Sequence, residues 1–187
     1  SQDSCSLHAW GAFVYSVLFL LIAALEVVLL VLLLREFARH RRPADLIPAA
    51  LTALLVYENV VIGLGSRIGE GALLEELNAP RFIGHALFTP LLIVWGFALL
   101  RRQKVAWTLT RAALVSVVLI TAALIAYGVN HDIVHLELVA APWEDTLRYG
   151  NANTPPGPPL TAILTGMALI VAGGQLWIES RSTVLAW

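Results

Sequence analysis

The chain reads as five long apolar blocks separated by short polar punctuation. The first block runs from about Gly11 to Leu34 and ends at the polar run from Arg35 to Pro43. The second covers about Leu46 to Leu64. Pro48 lies in its first turn, where the missing N–H was never going to be bonded. The third covers about Phe82 to Leu100, with Pro90 inside it and a kink expected there. The fourth covers about Val105 to Val129 and is expected to continue as helix through His135. The fifth covers about Leu160 to Ile178. Blocks of ~20 apolar residues match a hydrocarbon core ~30 Å thick. Such blocks are expected to be helices, because a helix satisfies its own backbone in lipid and an open strand does not. The alternating pattern of barrel strands is absent. The expected fold is therefore an all-α integral membrane protein, a single transmembrane helical domain over residues 1–187. Five spans do not divide into equal halves, which argues against an inverted-repeat transporter.

Composition agrees with this class. Hydrophobic residues make up 58% of the chain and charged residues 13%, with a mean hydropathy of +0.77. Soluble domains carry about 25% charged residues. The distribution of charge gives an orientation. Arg35, Arg39, Arg41, Arg42, Arg101, Arg102, Lys104, Arg111 and Arg181 fall at one end of the spans; only Arg67, Arg81 and Arg148 fall at the other. Lys and Arg beside short loops mark the cytoplasmic side. The N-terminus is thus expected outside and the C-terminus in the cytoplasm, with a bacterial inner membrane as the setting. Trp10 and Trp143 are expected at the outer interface, Trp107 and Trp177 at the inner one. Cys5 is the only cysteine, so no intrachain disulfide forms.

The outer segments are acidic, with Asp3, Glu70, Glu75, Glu76, Asp132, Glu137, Glu144 and Asp145. Leu73, Leu74 and Leu77 share a helical face opposite Glu75 and Glu76. This predicts a short interfacial helix near residues 70–78 that stops before Pro80. Gly63, Gly65, Gly69 and Gly71 allow close helix approach or a sharp exit from the second span. The proline-bearing stretch 140–159 reads as an ordered or extended loop, either a plain connector or a lid over the outer mouth.

Polar residues inside the spans carry the candidate chemistry, because a charge at membrane depth needs a partner or a cavity. The second span holds Glu58 and Asn59, the third begins with Arg81 and His85, and the fourth ends with Tyr127, Asn130, His131, Asp132 and His135. Glu26 stands alone in the first span. His131 and His135 are four residues apart, so one helix would aim both at one ion, with His85 as a third nitrogen donor. Glu58, Asp132 or Glu137 would supply a fourth ligand or accept an imidazole N–H. Asn59, Arg81, Tyr127 and Asn130 would surround this set. Three histidines suit zinc with an open position. The metal would activate water, with Glu58 or Asp132 as general base. At headgroup depth the natural substrate is a lipid-like molecule.

A histidine in one span and a His-x-x-x-His pair in another resembles the alkaline ceramidase and adiponectin-receptor hydrolases. The likeness covers His85, His131 and His135. Those proteins have seven spans, and the serine four residues before their first histidine is Arg81 here. The resemblance supplies a precedent for zinc-dependent lipid hydrolysis, not membership.

Two other readings use the same atoms. His85 with His131 or His135 could ligate a b-type haem or a pigment, with Gly84 and Gly128 leaving room for a flat slot. The chain would then be an electron-transfer subunit. Alternatively, Arg81, Glu58, Asn59 and Asp132 form a buried network in a non-catalytic subunit of a larger membrane complex. Membrane lipids are expected contacts, with Arg39-His40-Arg41-Arg42 against anionic headgroups. No basic face suggests nucleic acid. Gly-x-Ser-x-Gly, His-Glu-x-x-His and Cys-x-x-Cys are all absent.

Overall fold

The computed structural model describes residues 13–154 and 159–185, with side chains described as far as residue 179. Five helices in it are long and apolar enough to cross a membrane. They are α1 (Val14–His40), α2 (Leu46–Ile68), α3 (Ala72–Arg102), α4 (Arg111–Asp132) and α5 (Leu160–Leu185). A 3-10 turn at Pro43–Asp45 joins α1 to α2, and another at Ala106–Leu109 precedes α4. Between α4 and α5 lies an antiparallel hairpin, β1 (Leu138–Trp143) and β2 (Thr146–Asn151). The five expected spans are present. Trp10, Cys5, His8 and Asp3 lie outside the described residues.

The helix α3 is the hub. It packs against α2, α4, α5 and both strands, whereas α1 packs chiefly on α2. Glycines set the closest approaches. A Cβ on Gly128 would lie 3.2 Å from the Cα of Ala86, so α4 and α3 meet almost backbone to backbone. Gly69 and Gly71 take φ of +84° and +151°, which closes the short turn from α2 into α3.

Two expectations about the segments at the hairpin end need correction. No separate interfacial helix ends before Pro80. Residues 72–102 form one helix that runs through both Pro80 and Pro90. Its first turns are held by tertiary packing, which outweighs local propensity. Leu74 is fully buried with Val61 and Tyr149, and Leu77 packs beside them. The Tyr57 hydroxyl donates to the Leu77 carbonyl at 2.7 Å. Glu75 and Glu76 stay exposed, as their face of the helix predicts, but Leu73, expected on the face of Leu74 and Leu77, is exposed as well.

Nor is the region after α4 only a loop. Leu138 to Trp143 pairs with Asn151 to Thr146 in register, so the fold is helical with one added hairpin. Pro142 is tolerated because a two-stranded sheet has only edges. Glu144 makes the turn at φ 54°, and the Thr146 hydroxyl closes it onto the Trp143 carbonyl at 2.7 Å. Thr146 and Tyr149 are buried, and the hairpin wedges between the ends of α2 and α3. A Cβ on Gly65 would fall 1.8 Å from the Leu147 carbonyl oxygen, so only glycine allows β2 this close.

The turn of the hairpin also caps α1. The amides of Tyr15 and Ser16 donate to the Asp145 carboxylate at 2.9 and 3.0 Å. These are among the first amides of α1, which have no partner within the helix. The hydroxyls of Ser16 and Ser66 donate to the Asp145 carbonyl. The Trp143 ring lies against that of Tyr15, with centroids 4.7 Å apart. Partial burial pushes the Asp145 carboxyl pKa up, but the bonds from Ser16 and Tyr15 outweigh it and hold the pKa below its ordinary value. A depressed carboxyl stabilises docking above its unfolded pKa, and this contribution disappears as pH falls through the folded one. Acidification below the ordinary carboxylate range should therefore loosen the hairpin from α1. Amide exchange of residues 138–151 and Trp143 fluorescence should report it. Asp145→Asn should be looser at neutral pH and lose that acid transition; an unchanged transition would mean another group controls docking.

Candidate functional site

The site is built where α2, α3 and α4 approach one another near the hairpin end. A rise of ~1.5 Å per residue makes α3 about 46 Å long, longer than a ~30 Å hydrocarbon layer is thick. Arg81 and His85 lie in the half of α3 nearer the hairpin. Glu58 on α2 faces both. His85 Nε2 sits 2.7 Å from one Glu58 carboxylate oxygen, and Arg81 Nε lies 3.7 Å from the other. Arg81 also donates through Nη2 to the Tyr149 carbonyl at 3.0 Å, and its guanidinium lies 4.8 Å from the centre of the Phe82 ring. One arginine thus joins α2, α3 and the hairpin. Thr89, one turn below His85, places its hydroxyl 3.5 Å from His85 Nδ1.

A cavity of about 220 Å³ opens beside this network. His85 and Thr89 line it from α3, Tyr127, His131 and Asp132 from α4, and Pro159 to Ala162 from the start of α5. Asp132 Oδ1 lies 2.7 Å from His131 Nδ1. The Tyr127 ring stands 5.3 Å from the His131 ring, centroid to centroid. The cavity thus meets two imidazoles, each beside a carboxylate. A neighbouring carboxylate fixes an imidazole's orientation. Because Asp132 takes Nδ1, Nε2 is the nitrogen left to His131 for chemistry.

The expected three-histidine set is not assembled. The helix α4 ends at Asp132, and the amides of Ile133 and Val134 both turn back to the Val129 carbonyl. His135 therefore leaves the helical face that carries Tyr127 and His131. It is exposed, and its carbonyl accepts from Asn153 at 3.2 Å. Asn153 also donates to Glu137 at 2.9 Å, so that carboxylate belongs to the same surface turn. Among the described residues, no three of His, Cys, Asp and Glu come together as metal ligands. Asn130 is exposed and does not line the cavity.

Asn59 points elsewhere, and it corrects the reading of Glu26 as solitary. Its side-chain amide donates to Glu26 at 2.8 Å and pins α1 to α2 within the membrane-spanning part. Nothing in the first block announced that contact, because the partner lies 33 residues away on another helix. The glycines invoked for a haem slot are taken up by packing. A Cβ on Gly84 would overlap the Leu54 side chain, and Gly128 lies against Ala86. His85 Nε2 is moreover held by Glu58.

The basic end carries no comparable cluster among the described residues. Asp45 accepts from Arg102 at 2.8 Å, and Arg101 donates to the Thr108 carbonyl at 2.7 Å. Trp107 lies at this end and donates to Gln175 at 3.1 Å.

Comparison of the chain with protein-family models, with curated proteins and with solved structures finds no match. The functional reading therefore rests on the cavity itself.

Arg81 and Glu58 are 12% and 18% exposed, so removing either one leaves a largely buried charge. Arg81→Met should destabilise the protein by about 3–5 kcal/mol, the range for breaking one side of a buried pair. Adding Glu58→Gln should recover part of that loss. Denaturant unfolding of the two variants in one detergent makes the comparison, and additive losses would show that the two residues are not coupled.

Proposed function

We propose that this protein is a membrane-embedded hydrolase of lipid-like substrates, with its active site in the cavity between His85 and His131. The observation that carries the reading is one cavity, at the hairpin end of the spans, bordered by two imidazoles that each have a carboxylate beside them. In the proposed reaction, water adds to an ester or amide carbonyl while His131 Nε2 takes its proton. The same proton then passes to the departing alcohol or amine. Asp132 orients His131 and stabilises the imidazolium formed on the way. The hydroxyls of Thr89 and Tyr127 are the donors available to the carbonyl oxygen, and His85, held by Glu58, walls the cavity beside them.

A zinc-dependent form of the reaction needs a third protein donor beside His85 and His131. His135 does not join them, so the proposed chemistry uses the side chains themselves. Bound zinc would revise that step and leave the substrate class standing. We place the hairpin end outside and the arginine-rich end in the cytoplasm, on the strength of the positive-inside rule, in a bacterial inner membrane. The substrate head then enters from the outer leaflet.

A second reading has its own support. The Arg81–Glu58 pair ties α2, α3 and the hairpin together whether or not chemistry follows. The helix α1 exposes Leu21, Leu25 and Val28 on a face that another subunit could cover. A non-catalytic subunit of a membrane complex fits these two facts.

The test is hydrolysis of a panel of ester- and amide-linked lipids by the purified protein in mixed micelles, with metal content measured on the same sample. His131→Ala should lower turnover by about 10²- to 10⁴-fold, the usual contribution of a general acid–base group. His40→Ala, at the opposite end of the bundle, should leave it unchanged. Absence of turnover across the panel, or equal turnover in both variants, would favour the subunit reading.

A further inference from the structure

The cavity with the two histidines has a neighbour along the same three helices. On α3, His85 and Thr89 are followed at four-residue steps by Ile93 and Phe97, which line a second hollow of about 500 Å³ nearer the basic end. Residues four apart lie on one face of a helix. On α4, His131 and Tyr127 give way along one face to Ile120, Val117 and Ala113 of that hollow; on α5, Thr161 gives way to Ala168 and Ala172. Three helices thus carry the same order, polar toward the hairpin and apolar below. Thr165, on the same row of α5, is buried and lines neither hollow.

The lower hollow opens sideways. Both α4 and α5 pack on α3 but touch each other only sparsely. From His131 to Val117 is 14 residues, or about 21 Å at ~1.5 Å per residue. One leaflet contributes about 15 Å of hydrocarbon. The polar cavity and the hollow together therefore span the depth of one lipid from its head to the end of its chain.

We propose that the hollow between α4 and α5 holds one acyl chain of an ester-linked membrane lipid whose head lies in the His85–His131 cavity. This deepens the hydrolase reading and rests on it for the identity of the head site. The chain slides in from the bilayer through the gap between α4 and α5. Phe97, Trp107 and Val171 form the apolar walls. Chain burial supplies little free energy, because the bilayer is as apolar as the groove. Its effect is to fix which bond reaches His131.

The test uses the protein reconstituted in phosphatidylcholine vesicles that contain phosphatidylcholine with a diazirine in the middle of one acyl chain. After illumination, labelled peptides are mapped by mass spectrometry. The exposed apolar face of α1 serves as an internal control for ordinary lipid contact. Residues 93–100, 113–120 and 167–172 should be labelled in excess over α1. Ala168→Trp and, independently, Ser116→Trp should abolish that excess and leave α1 labelling intact. Labelling no greater than that of α1, or an excess that survives both tryptophan variants, would overturn the groove. Excess labelling without any hydrolysis would keep the groove and remove the hydrolase. Hydrolysis of lipid esters without excess labelling would keep the hydrolase and remove the groove.

Discussion

Arg81 is the constraint on which the hairpin end of the molecule depends. A guanidinium this deep among apolar helices needs an opposite charge and acceptors for its donors. Glu58 supplies the charge and the Tyr149 carbonyl an acceptor. Each partner comes from a different element. Pairing this one side chain therefore fixes α2 against α3 and brings the hairpin down between them, with Nη1 left without a partner among the described residues. The other Glu58 oxygen meets His85, so the group that neutralises the arginine also holds an imidazole at the cavity wall. Stability and site geometry share the same atoms.

The rest of the packing follows from how closely backbones approach. Gly65 admits β2 onto α2, and Gly128 brings α4 onto α3. With α3 occupied on several sides, α4 and α5 are left beside each other with little direct contact. That gap is where the apolar hollow lies. Asp145 completes the hairpin end by capping α1 from a turn 129 residues away in sequence. The hairpin is thus tied to three helices through polar contacts at their ends.

Much of this was legible in the chain. Twenty-residue apolar blocks announced all five helices, because length and hydropathy alone answer that question in lipid. The residues gathered at one depth were also legible: Glu58, Arg81, His85, Tyr127, His131 and Asp132 are expensive in a membrane and had to find one another. The misreadings share one cause, which is reasoning locally where tertiary packing decided. Pro80 marks a helix end in isolation, yet burial of Leu74 and Leu77 carries α3 through it. Pro142 and the prolines after Asn151 read as an ordered or extended loop, while the alternation of Leu147 and Tyr149 around the Glu144–Asp145 turn was the signal for a strand. His135 sits at the correct spacing for a ligand pair, but a helix that stops at Asp132 cannot use it. Residues 155–158 of that proline-rich stretch lie outside the described residues.

The most direct measurement is nitrogen magnetic resonance of the histidine rings in bilayers, on protein labelled at histidine. If Arg81 acts through Glu58 to hold one imidazole of the cavity, Glu58→Gln will displace the His85 ring-nitrogen signals and leave those of His131 in place. Asp132→Asn will do the reverse. His85 signals that ignore Glu58 would contradict the link between the buried arginine and the site.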